Sequence, residues 1–193
     1  MLRRLYDWTM GLAGRERAVW ALAVVAFVEG WFFPIPPDVL LIPMVLAARD
    51  RAWRYAAVCT AASVAGGAFG YAIGLFLFEA VARPILAFYG YGEAFAAFGA
   101  RYNEWGAWIV FGAGFTPFPY KVVAIASGAT RLDPAVFIAA SVVARGLRFL
   151  VVAALLYWIG PPIRAFIERR LGLVTAVFAA LLLGGFVLAK YAL

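Results

Sequence analysis

The 193 residues are 66% hydrophobic and 14% charged, with a net charge of +7, one cysteine and no histidine. A soluble domain carries about 45–50% apolar and about 25% charged residues, so this composition selects the membrane class and predicts an all-α polytopic membrane protein forming one domain. Without histidine, and with Cys59 alone, imidazole acid–base chemistry, most zinc or haem sites and a disulfide framework are excluded; no enzyme, metal or cofactor is expected. The cations punctuate apolar runs instead of lining a groove, which argues for loops facing anionic lipid and against nucleic acid.

Residues 1–17 read as an interfacial segment. Residues 18–48 are apolar but interrupted by Glu29, Pro34, Pro36, Pro37, Asp38 and Pro43. Proline removes a backbone donor and clashes with the preceding turn, so this stretch cannot be one regular helix. Each half is about a dozen residues, short of the about 20 needed to span a bilayer. Irregular backbone at membrane depth survives only under a cover of protein or beside a water-filled cavity. A re-entrant hairpin is therefore expected, with Pro34 and Pro36 at its tip. Residues 52–79 predict a transmembrane helix, on which Gly66, Gly70 and Gly74 form a stripe suited to close helix packing.

Residues 83–104 carry Phe95, Phe98 and Tyr102 at helical spacing, continued by Trp105, among Glu93, Arg101 and Glu104. That is the pattern of an interfacial amphipathic helix. Residues 105–130, broken by Pro117, Pro119 and Lys121, predict a second re-entrant hairpin with Pro117 and Pro119 at its tip. Residues 134–159 predict a transmembrane helix with Arg145 and Arg148 near its middle, and residues 171–191 an additional C-terminal one.

The run from Phe33 to Asp38 resembles the run from Thr116 to Lys121 at an offset of 83 residues, which also places Asp50 on Asp133 and Ala52 on Ala135. Each unit is then a hairpin plus one crossing, so the second unit is inverted, the plan of many secondary transporters. The register sets Asp38 opposite Lys121 and predicts a pair between them. This topology gathers ten basic residues of the N-terminus, the first loop and the last loop on one side, against four opposite, and makes the N-terminus cytoplasmic.

Glu29, Asp38, Lys121, Arg145 and Arg148 fall at membrane depth, where an unpaired charge costs at least about 2.5–3.5 kcal/mol. Asp38 complements the dipole of the half-helix that it opens, whereas Lys121 opposes its own. Glu29 lies late in its half-helix and needs a cation, a proton or a ligand. Glu29 and Asp38 are therefore candidates for proton coupling. Arg145 and Arg148, three apart, share a helix face, and arginine forks match phosphate or carboxylate. The arginines also have a plainer role open to them, neutralising Glu29 and Asp38. Three cations against two anions nonetheless leave a surplus positive charge, so Lys121, Arg145 and Arg148 are the candidate binding residues for an anionic group.

The stretch Val28-Glu29-Gly30-Trp31-Phe32-Phe33-Pro34-Ile35-Pro36-Pro37-Asp38 resembles the DedA family of SNARE-associated, or VTT-domain, membrane proteins. So do Phe115-Thr116-Pro117-Phe118-Pro119-Tyr120-Lys121, Ser127-Gly128, the glycine-rich helix with Tyr71, and Arg145. The form of the second motif is most similar to the short YqaA-like branch. The resemblance implies a multi-pass protein of the bacterial inner membrane with two re-entrant hairpins. It also implies translocation of a phosphate-bearing lipid, such as undecaprenyl phosphate or a phospholipid, by a flippase or scramblase, with protons as possible coupling ions. Glu29, Asp38, Lys121 and Arg145 carry over by position. Many members have an arginine where this chain has Gly114, a departure bearing on substrate and coupling. Two other readings compete with lipid transport: a proton-coupled transporter of a small ion or solute, and a membrane assembly factor without cargo.

Overall fold

The computed structural model describes residues 16–32, 36–116 and 118–169, and all regular structure among them is helical. The expected helix at 171–191, the interfacial segment over residues 1–15, Pro34 and Pro117 lie outside the described residues. In chain order the helices are α1 (Glu16–Glu29), α2 (Asp38–Ala47), α3 (Ala52–Leu77), α4 (Arg83–Phe88), α5 (Gly92–Glu104), α6 (Gly106–Phe115), α7 (Tyr120–Ala129) and α8 (Pro134–Arg169). Asp38 and Tyr120 open the two second short helices and Ala52 and Pro134 the two long ones, so both starts repeat after 82 residues.

Proline chemistry sets the breaks. Pro37 precedes α2, and between α6 and α7 the backbone is extended at Thr116 and at Pro119. α3 lies at the centre and packs against α1, α7 and α8. Its glycines allow backbone-to-backbone contact: a Cβ on Gly66 would collide with the carbonyl of Phe27 on α1, and one on Gly74 with the carbonyl of Ile125 on α7. At Gly70 a Cβ would lie 3.0 Å from the Gly30 carbonyl.

Two stretches depart from the expected boundaries. The long helix does not end at residue 79. It continues through a π-helical turn, Phe78–Ala82, into α4, and the amphipathic helix proper is only α5. The reason is local: the Arg83 amide donates to Phe78, five residues back, which widens the helix just ahead of Pro84 and relieves the clash of its ring. At the other end, α8 runs on past residue 159 to Arg169.

Two stretches, Arg49–Phe88 and Pro134–Gly160, are long and apolar enough to cross a membrane. Their outward residues include Phe76, Leu77, Val143, Leu147, Leu150, Leu155 and Trp158, all exposed. A large exposed apolar surface of this kind marks a lipid or protein partner. Inside, two apolar clusters form. One gathers Leu22, Leu41, Met44, Tyr55, Cys59, Phe149 and Leu156; the other gathers Tyr102, Val110, Tyr120, Val123, Leu132 and Phe137. Along α8, Arg145 lies between Phe137 of one cluster and Phe149 of the other.

Candidate functional site: a buried charge cluster between the two halves

Among the described residues Arg145 is the largest fully buried side chain, at 1% exposure. Its Nη2 donates to Glu29 Oε2 at 2.5 Å and its Nε to Ser63 Oγ at 2.7 Å. The guanidinium carbon lies 4.9 Å from the Tyr120 ring centre and 4.8 Å from that of Phe149. A cation over aromatic faces gains about 2 kcal/mol or more once desolvated. The Tyr120 hydroxyl donates to Ser141 Oγ at 2.7 Å, which fixes the ring. A Cβ on Gly67 would strike that hydroxyl, so the small residue on α3 is what lets Tyr120 reach Ser141.

One turn along α8, Arg148 makes the second pair. Its Nη2 donates to Asp38 Oδ2 at 2.7 Å and its Nη1 to the Thr116 carbonyl at 2.8 Å. The expected pair between Asp38 and Lys121 is therefore not formed. Lys121 donates instead to the Phe32 carbonyl at 3.2 Å. The sequence repeat equates the two positions, but the crossing of α8 over α2 brings a longer, forked cation to the carboxylate first. Asp38 Oδ1 is buried and accepts no hydrogen bond among the described residues.

The site thus draws on both halves: Glu29, Asp38 and Ser63 from the first, Lys121, Arg145 and Arg148 from the second. Lys121 and Arg148 have a further duty. A helix that stops leaves carbonyls without intrahelical donors. Phe32 follows α1 and Thr116 follows α6, and each carbonyl receives one cation. That accounts for a lysine where its own helix dipole disfavours it.

Of the expected residues, Glu29, Asp38, Lys121, Arg145 and Arg148 lie in or beside this cluster, while Gly66, Gly70 and Gly74 lie at helix contacts. Pro36 and Pro119 immediately precede the turns into α2 and α7. Ser63, Ser141, Tyr120 and Phe149 were not among them. Ser63 sits three residues before Gly66 on the same small-residue stripe, and Tyr120 stands beside Lys121, which are the available signals; nothing in the sequence marks Ser141 or Phe149.

The VTT domain family matches residues 35–158. The chain is 38% identical over 170 residues to an uncharacterized protein of Haemophilus influenzae, covering 88% of each chain. It is 36% identical over 167 residues to a related uncharacterized protein of Histophilus somni, covering 86% of this chain and 87% of that one. No solved structure matches.

Proposed function

This chain belongs to the VTT-domain family of membrane-associated proteins, the domain that DedA members carry, and we propose that its buried charge cluster serves the translocation of a phosphate-bearing lipid across the bacterial inner membrane. In this reading α1–α2 and α6–α7 are re-entrant hairpins, the two units are inverted, and the N-terminal face is cytoplasmic. The observation that carries it is Arg145: a fully buried cation, held between two rings and paired with a carboxylate at the junction of the two halves.

The mechanism follows from charge balance. With Glu29 and Asp38 ionised, both arginines are occupied. Protonation of either carboxylate releases a guanidinium fork, and a phosphate can then take the vacated donors. Proton entry and headgroup binding would be coupled through the same hydrogen bonds. Lys121, whose hydrogen-bond partner among the described residues is a carbonyl, supplies charge at the more exposed end.

The test is translocation of fluorescent lipid analogues in liposomes containing the purified chain. Arg145→Lys keeps the charge but loses the fork, so transport should fall about tenfold or more, the order of one charge-assisted hydrogen bond. Wild-type rates in Arg145→Lys remove the phosphate reading. A second reading, an assembly factor without cargo, gains from the fact that both arginines already have carboxylate partners. It expects no transport by the wild-type protein itself.

A further inference from the structure

A second polar group lies far along α3 from the buried cluster. A cleft of about 480 Å³ opens where the π-turn, α4 and α5 meet the turn between α7 and α8. That volume lies within the range of small-molecule sites, roughly 300–1,000 Å³. One wall is apolar, made by Leu86, Ala87, Phe95, Ala96 and Ala100. Phe95 is held in place by stacking on Phe78, ring centres 4.3 Å apart.

The opposite wall is charged. Glu79 Oε2 accepts from Arg83 Nη1 at 2.8 Å and Glu79 Oε1 from Arg131 Nη2 at 2.6 Å. One carboxylate thus fixes two guanidinium groups, with most of their five N–H donors each still free of it. Arg131 occupies a left-handed backbone conformation, φ 56°, which costs energy for any residue with a side chain. Beside it, Asn103 donates Nδ2 to the Thr130 carbonyl at 2.8 Å.

We propose that this cleft binds one anionic lipid, such as one with a phosphoglycerol headgroup. The phosphate lies on Arg83 and Arg131, and the first carbons of an acyl chain cover Phe95 and Ala96. The placement rests on the spanning reading above: α3 covers roughly 39 Å at about 1.5 Å per residue, more than the about 30 Å of bilayer hydrocarbon, which sets Glu79 and Arg83 at headgroup level. The site is separate from the transport cluster, and its test reads binding, so either reading can fail without the other.

The experiment is native mass spectrometry of the full chain in detergent. It titrates phosphatidylglycerol against phosphatidylcholine of the same acyl chains. The wild type should prefer phosphatidylglycerol by about tenfold, and the Arg83→Gln/Arg131→Gln variant should lose that preference. Ala96 is exposed at the cleft mouth, so Ala96→Trp fills the space without disturbing the core and should lower retention of the lipid. Soluble glycerol phosphate should compete at least about tenfold less well than the lipid, because it lacks the chain. Equal binding of the two lipids, a preference that survives in the double variant, unchanged retention in Ala96→Trp, or competition by glycerol phosphate at lipid concentrations would each overturn the proposal.

Discussion

The pairing of Arg145 with Glu29 makes a quantitative claim about stability that is separable from transport. Arg145→Met removes both hydrogen bonds of the guanidinium and its contact with two rings. It leaves Glu29, whose side chain is 15% exposed, as a largely buried carboxylate without its hydrogen-bonded cation. Breaking one partner of such a pair costs about 3–5 kcal/mol, most of it from the stranded charge. Glu29→Met with Arg145→Met removes the stranded charge as well, and an apolar replacement of similar volume is often neutral within about 1–2 kcal/mol. Equilibrium unfolding in mixed micelles should therefore show a large loss in the single variant and recovery in the double one, which should cost far less than the sum of the two single variants. A single variant costing under about 1 kcal/mol, or a double variant costing the sum of the singles, would refute the pairing. The double variant then decides function. Folded and unable to translocate lipid, it assigns the pair to cargo; folded and fully active, it assigns the pair to structure alone.

Other expectations follow from the same geometry. Gly66→Ala drives a Cβ onto the Phe27 carbonyl and should cost about 1–3 kcal/mol in unfolding measurements, as overpacking does; Gly92→Ala, which meets nothing within 4 Å, is the neutral control. Glu29→Gln should flatten the pH dependence of transport while the protein still folds, and an unaltered pH profile in both Glu29→Gln and Asp38→Asn would end the case for proton coupling. In a Cys59→Ala background, single cysteines at positions 49 and 164 should label from the same side of the membrane; labelling from opposite sides would sink the two-hairpin topology.

The membrane class and the helix breaks were legible because each rests on local chemistry. Apolar content, a proline and a run length are properties of a short window. The charged residues that meet in the cluster were legible too, since a charge inside an apolar run stands out wherever the chain goes. What the sequence did not show is who meets whom. The repeat register set Asp38 against Lys121, yet Arg148 reaches Asp38, because partner choice depends on how α8 crosses α2. The ring contacts of Arg145 were hidden for a related reason: Tyr120 and Phe149 look like ordinary apolar positions, and their role appears only when two helices bring both rings to one guanidinium. The continuation of the long helix to Phe88 was obscured by Glu79, Arg83 and Pro84, which mark the end of the apolar run but do not stop a helix that can insert a π-turn.

The two readings of the cluster converge on a single physical requirement. Short helices that stop inside an apolar medium expose carbonyls that must find donors. Lys121 on α7 answers the Phe32 carbonyl in the first half, and Arg148 on α8 answers the Thr116 carbonyl in the second. Cations are thus called for by the breaks themselves, before any cargo is considered; Asp38 balances one of them, Arg148, while Glu29 balances Arg145. Neither cation is used up by this task. A lysine has three donors and an arginine five, so donors remain after the carbonyl is served. An ion pair closed in this way is also reversible, since a proton on the carboxylate frees the fork without unmaking the contact to the backbone. Arg148 can keep the Thr116 carbonyl through Nη1 while Nη2 changes partner from Asp38 to a phosphate. Arg145 has no such backbone hold; Ser63 and the two rings take that part. A cluster built to seal two broken helices is in this way already built to exchange an internal carboxylate for an external anion, which is the step that lipid translocation would require of it.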